Sequence, residues 1–183
     1  MRAIRLLGLT LALVLATGAV LAERGDDADR PSKNGKTEGT IDGVDVVIEY
    51  GRPNVKGREI WGGLVPYGKV WRTGANEATT ITFGADVTVE GQKLAAGTYG
   101  LFAIPGEEEW AVIFNKVANQ WGAFEYAEAE DALRVTVAPG ASEESVEAMD
   151  FVIDGSSVVL RWEKLTVSFE VAKAGDAHHD HHG

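Results

Sequence analysis

The chain of 183 residues carries 17 Lys and Arg against 28 Asp and Glu, a formal net charge of −11, and no cysteine. No cluster of Lys and Arg forms a basic face to neutralise phosphates, which excludes a nucleic-acid partner. The missing thiols exclude a disulfide framework and a cysteine nucleophile.

In chain order, Met1-Arg2-Ala3-Ile4-Arg5 precedes an apolar run from Leu6 to Ala22, and charge resumes at Glu23. A basic start, a short apolar stretch and small residues before the break are the parts of a secretory signal peptide, with cleavage expected after Ala22. The run falls short of the roughly 20 strongly apolar residues of a spanning helix. The expectation is a periplasmic or secreted protein with no membrane span after cleavage. Removing residues 1–22 takes Arg2 and Arg5 but no acid, leaving the mature chain two charges more acidic.

Residues 23–38 are charged, punctuated by Gly and Pro and empty of large apolar side chains, so they read as a flexible acidic linker. A single domain is expected over 39–173. Its first strand is Val44–Tyr50, and residues 52–70 read as a long irregular loop with Trp61, Leu64 and Tyr67 as anchors at helix-like spacing. Strands then recur: Ala78–Phe83, Asp86–Val89 turning at Glu90-Gly91 into Lys93-Leu94, Gly97–Ile104 ending at Pro105-Gly106, and Trp110–Phe114. Asn115–Glu130 loses the period. Leu133–Val137, Val146–Ile153, Val158–Trp162 and Leu165–Val171 restore it, with Pro139–Glu144 read as a loop. About nine short strands without a βαβ rhythm predict an all-β, antiparallel β-sandwich with Greek-key or jelly-roll connections.

All four histidines, His178, His179, His181 and His182, lie in the tail 174–183, so the domain holds no imidazole for a Ser-His-Asp relay or a buried zinc site. The tail itself has donors that suit loosely bound Zn, Ni or Cu, or it is a solvated end without a role. Hydrolysis in the domain would fall to carboxylates such as Glu59, Glu77, Asp86 or Glu125.

The segment Trp71-Arg72-Thr73-Gly74-Ala75-Asn76-Glu77 places an aromatic, a cation, an amide and an acid around one glycine turn. Two readings stand. One is a polar pocket with Trp71 as platform, Arg72 and Asn76 as donors and Glu77 as acceptor. The other is an Arg72–Glu77 salt bridge and an amide that pin the turn. Of the five tryptophans, Trp110 and Trp162 sit in strands and read as core. Trp61, Trp71 and Trp121 lie in or beside irregular segments, where an exposed ring suits a sugar face or another apolar ligand, and where the commoner arrangement is a loop tryptophan that plugs the open end of a sandwich.

Taken together, Gly51-Arg52-Pro53-Asn54-Val55-Lys56-Gly57-Arg58, the run from Gly63 to Ile81, Leu94-Ala95-Ala96-Gly97-Thr98-Tyr99, Phe102–Gly106, Trp110–Lys116 and Gln120-Trp121-Gly122 resemble one family over about residues 40–171. It is the bacterial domain-of-unknown-function family DUF2911, exported proteins found largely in Bacteroidetes and similar bacteria. The resemblance implies a secreted or periplasmic all-β domain and supplies no activity. Ala95 departs from the Leu-Pro-Ala-Gly turn usual there. The segment Leu94–Tyr99 is also similar to the turn-and-tyrosine corners of Greek-key sandwiches.

The functional expectation is a non-catalytic sandwich that binds a small polar or carbohydrate-like ligand, or an envelope partner, through Arg52, Trp71, Arg72, Asn76, Glu77, Asn115 and Trp121. The competing expectations are a carboxylate-dependent glycoside hydrolase or lyase, and metal handling by the histidine tail.

Overall fold

The structure, a computed structural model, describes residues 24–175. The expected signal peptide at 1–22 and the four tail histidines lie outside the described residues. Ten strands run in chain order: β1 (Lys33–Ile41), β2 (Val44–Arg52), β3 (Thr79–Phe83), β4 (Val87–Val89), β5 (Gln92–Leu94), β6 (Gly97–Ile104), β7 (Trp110–Asn115), β8 (Asp131–Val137), β9 (Pro139–Asp154) and β10 (Ser157–Lys173). Every pairing is antiparallel. They form a six-stranded sheet, β1-β2-β3-β6-β7-β8, and a four-stranded sheet, β5-β4-β10-β9, as the sandwich expectation required.

Alternation explains how the sheets meet. Val44, Val46, Ile48 and Tyr50 of β2 are buried while Asp45 is exposed, and β7 buries Trp110, Val112 and Phe114 in the same core. Strand β6 is buried on both faces. Leu101 and Ala103 enter the main core, whereas Phe102 joins Ile113 and Ala78 under Ala123 and Tyr126 of the following excursion. That second layer is why β6 reads as a continuous apolar run. Tyr99 closes the corner before it, its hydroxyl donating to Ala95 O at 2.8 Å, the bond of a tyrosine corner.

Three boundaries differ from the sequence reading. Residues 33–38 of the expected linker are instead paired structure: β1 begins at Lys33, opposite Arg52, and runs along the edge of its sheet. An edge strand buries little, so β1 needs few large side chains. Gly35 fits because a Cβ there would stand 2.6 Å from the Tyr50 ring. The loop at Pro139–Glu144 is the start of β9, where Pro139, Gly140 and Ala141 pair with Val167, Thr166 and Leu165. Proline at the first position and exposed Glu143 and Glu144 suit an edge strand, which must not template another chain. Val158–Trp162 and Leu165–Val171 are one strand, β10. Register shifts between Arg161 and Leu165, with Glu163 at φ 57°, move the buried set from even positions (Leu160, Trp162) to odd ones (Val167, Phe169). A bulge does this by inserting a residue into the ladder.

The long segment 53–78 crosses from β2 to β3 as irregular chain, as expected. Of its expected anchors Trp61 packs against the core, with Ile60 and Val65 buried beside it, while Leu64 and Tyr67 are exposed. Trp71 exchanges two backbone hydrogen bonds with Ala103, at 2.8 and 2.9 Å, and this stitches the segment to β6.

Candidate functional site

The turn at 73–76 sits hard against the backbone of β2. Ala75 N donates to Gly51 O at 3.3 Å, and a Cβ on Gly51 would lie 2.1 Å from Ala75 O, so only glycine permits the approach. Thr73 adopts φ 49° and Asn76 φ 62°. A β-branched residue in the left-handed region costs about 1–3 kcal/mol and persists only where its surroundings hold it. Here Thr73 Oγ1 donates to Leu101 O at 2.7 Å, and Thr73 O accepts from Thr79 Oγ1 at 2.9 Å. The strain therefore sits inside the stretch that the residue types singled out.

Beside this turn opens a cleft of about 300 Å³. Trp71, Arg72 and Asn76 line it from the turn, Arg58, Leu64 and Val65 from the long segment, Trp162 from β10, and Ser32 from the N-terminal stretch. Trp71 stacks on Trp162 with ring centroids 6.0 Å apart and planes within 17°, and Trp61 packs edge-on against Trp71, Trp110 and Trp162 at 5.7, 5.1 and 5.6 Å. Trp61 and Trp71 thus extend the aromatic core outward, Trp71 as far as the cleft wall, and do not stand free. Trp121 is the exposed ring, at 57 %.

Arg72 is half-buried. Its Nε has no hydrogen-bond partner, and it forms no ion pair among the described residues. Burial pushes the guanidinium pKa below its ordinary value. Above it passes the excursion after β7: a Cβ on Gly122 would lie 3.5 Å from Arg72 Nη1 and 3.0 Å from the exposed Phe124 ring. Asn76 joins the two walls, its Nδ2 donating to Ser32 O at 3.1 Å and its carbonyl accepting from Gly122 N at 3.2 Å.

The Arg72–Glu77 salt bridge expected from proximity in sequence does not form. Glu77 instead receives Arg30 through both Nη1 and Nη2, at 2.7 and 2.8 Å, with Arg24 Nη1 at 3.6 Å and Gly25 N at 3.2 Å. Arg24 also donates to Glu49 O and Ala78 O, which lays the N-terminal stretch over β2 and β3. A bidentate partner from a packed N-terminal stretch outcompetes a neighbour in sequence. The Arg30 hydrogen bonds hold the Glu77 carboxyl down to about 2.

This depression has a sign. A carboxyl lowered from 4.5 to about 2 on folding contributes stability above 4.5, and that stability is lost as pH falls toward 2. Solvent screening at the exposed side of Arg30 limits the contribution to about 1–2 kcal/mol. Glu77→Gln should therefore be less stable than the wild type at neutral pH, and the gap should close as pH approaches 2. Urea midpoints for both chains across that range check it; a gap that stays constant with pH means the carboxylate charge is not what holds Arg24 and Arg30.

The remaining expected site residues are placed elsewhere. Arg52 is half-buried at the end of β2, its Nε donating to Met149 O at 3.2 Å, and it does not line the cleft. Asn115 is fully buried, donating to Ala127 O and Asp131 Oδ1 and accepting from Val117 N at 3.0 Å. It is a structural amide, closed to any ligand. Trp121 flanks Glu77 on the other side of the turn, with Arg30 6.0 Å from its ring centre. Arg58 and Trp162 were not expected in the site. Arg58 lies in the irregular stretch between β2 and β3, where no period points it toward a site, and the period of β10 assigned Trp162 to the core, which it also serves.

Of the carboxylates considered for hydrolysis, Glu77 is clamped by two arginines and Asp86 accepts from Ala96 N at 2.8 Å. A carboxylate held near 2 is a weak general base and is ionised at neutral pH, so it cannot donate a proton there. Among the described residues no group of three or more His, Cys, Asp or Glu could hold a metal ion, and no helix is long and apolar enough to cross a membrane. No curated protein and no solved structure matches the chain. One family model does, over residues 32–171, and its description is Protein of unknown function (DUF2911): this chain belongs to that family.

Proposed function

We propose that the protein is an exported, non-catalytic sandwich that binds a small polar ligand in the cleft beside the Trp71–Asn76 turn. The observation that carries the reading is that Trp71, Arg72 and Asn76 line one cleft of about 300 Å³, backed by Trp162 and walled by the long segment. Small-molecule sites combine an apolar, aromatic surface with a few convergent polar groups, and volumes begin near this size. The strained turn and the packed Glu77 anchor hold those groups in place before any ligand arrives, so little ordering entropy is lost on binding. Export rests on the basic and apolar N-terminus, and periplasmic or secreted location follows from it.

A thermal-shift screen of the purified chain against neutral sugars, short peptides, small organic acids and divalent metals tests the reading. A ligand of this site raises the melting temperature of the wild type, since it binds the native state alone. The same ligand should leave Trp71→Ala unshifted. If every stabilising compound acts equally on Trp71→Ala, the site lies elsewhere and the proposal fails.

A further inference from the structure

We infer that the ligand of this cleft is an organic anion whose carboxylate or similar oxyanion is read by Arg72 and Arg58, with an apolar or aromatic body laid against Trp71 and Leu64. This deepens the proposed function and rests on it.

The first argument is charge. The chain holds 28 acidic against 17 basic residues, yet the cleft is lined by two arginines and no carboxylate. An acidic protein repels anions over most of its surface, so a locally cationic hollow is where an anion is steered.

The second argument is pairing. Arg24, Arg30, Arg134 and Arg161 each meet a carboxylate of the chain. Arg72 meets none among the described residues, and its Nε is buried without a partner. A half-buried charge without a counter-ion is costly, and an oxyanion that reaches the Nη groups of Arg72, which the buried Nε cannot offer, recovers part of that loss. The planar guanidinium fork offers two parallel N–H groups to such a head. Burial already disfavours the arginine's charge, which a bound anion would restore.

The third argument is the rest of the lining. Arg58 is held at the rim by its own segment, Nε donating to Val55 O at 3.1 Å and Nη2 to Asn54 O. Its remaining N–H groups stay available to a ligand at little entropic cost. Leu64 is 47 % exposed beside it. An exposed leucine next to a tryptophan face gains from an apolar body and nothing from a bare inorganic ion.

The test is calorimetric titration of the full chain with 3-phenylpropionate, its neutral amide 3-phenylpropionamide, inorganic phosphate and glucose, all to millimolar concentration. The carboxylate should bind about tenfold or more tightly than the amide and than phosphate. Arg72→Gln should lose about tenfold in carboxylate affinity, and Arg72→Lys should recover only part of it, since an ammonium lacks the fork. Lys93→Gln, on the distant β5, should bind like the wild type. Should Arg72→Gln fail to fold, the carboxylate-to-amide ratio in the wild type still decides. Equal binding of acid and amide, or glucose binding alone that Trp71→Ala abolishes, overturns the anion assignment and leaves the site standing. Phosphate bound as tightly as the carboxylate overturns the apolar body. No binding by any of the four overturns the anion assignment, and the cleft itself then stands or falls on the wider thermal screen.

Discussion

Replacing Trp110 with alanine should lower the unfolding free energy by about 3–5 kcal/mol, the usual cost of truncating a buried large aromatic. Trp110 is wholly buried on β7, with Trp61 at 5.1 Å and Trp71 at 6.2 Å between ring centroids. Both neighbours come from the long irregular segment, which isolated backbone bridges such as Trp71–Ala103 tie to the sheets without a continuous ladder. The segment can follow the ring into the space left behind, which would reduce the stability loss while displacing Trp71 from the cleft. Urea denaturation measures the first effect as a lower midpoint at unchanged slope. Trp61→Ala removes a partly exposed ring and should cost less. Because the two rings touch, the double variant should lose less than the two single losses added together. Strict additivity would show that Trp110 does not hold the segment in place.

Much of this architecture was legible because one face of each sheet is dry. A half-buried strand must alternate, and β2, β3 and the last part of β10 do so in plain sequence, while β6 and β7, buried on both faces, read as apolar runs. The fold class follows from that alone. What failed did so where alternation has no cause. Strand β1 lies at an edge with only Ile41 fully buried, so its composition looked like linker. In β10 the bulge at Glu163 reverses the parity midway, so one strand looked like two. The site shows the same division. Trp71, Arg72 and Asn76 were found because their residue types are unusual together, and they do share a cleft. The partner of Glu77 could not be found that way. It comes from 47 residues upstream, and no local pattern encodes the approach of Arg30. Asn115 was misassigned for a related reason. A polar residue at the end of an apolar strand looks like a ligand donor, and the partly buried carbonyl and carboxylate that it serves lie 12 and 16 residues farther on.

That buried amide carries the second large expectation. Asn115→Leu keeps roughly the volume and removes every polar atom, leaving Ala127 O, Asp131 Oδ1 and Val117 N without the partner they have now. Orphaned buried groups cost about 1–3 kcal/mol each and recover part of that by meeting water, so a loss of about 2–4 kcal/mol is expected. Asn115→Asp separates polarity from shape. It preserves the acceptor for Val117 N but sets a new carboxylate against Asp131, which the present amide approaches at 2.8 Å. Repulsion and burial raise the folded pKa of the new carboxyl, so the variant should be weakest at neutral pH and recover stability as pH falls and the group takes a proton. The wild type and Asn115→Leu lack that recovery. The consequence reaches the cleft through the backbone. Gln120 O accepts from Ala78 N at 2.9 Å, and Gly122 N donates to Asn76 O at 3.2 Å, so the excursion that Asn115 pins also holds the turn beside Arg72. Both variants should therefore become open to proteolysis between residues 116 and 130 and weaken carboxylate binding at the cleft under conditions where they remain folded. Variants that lose stability yet bind the carboxylate as the wild type does would show that the excursion is fastened to the sandwich without shaping the site.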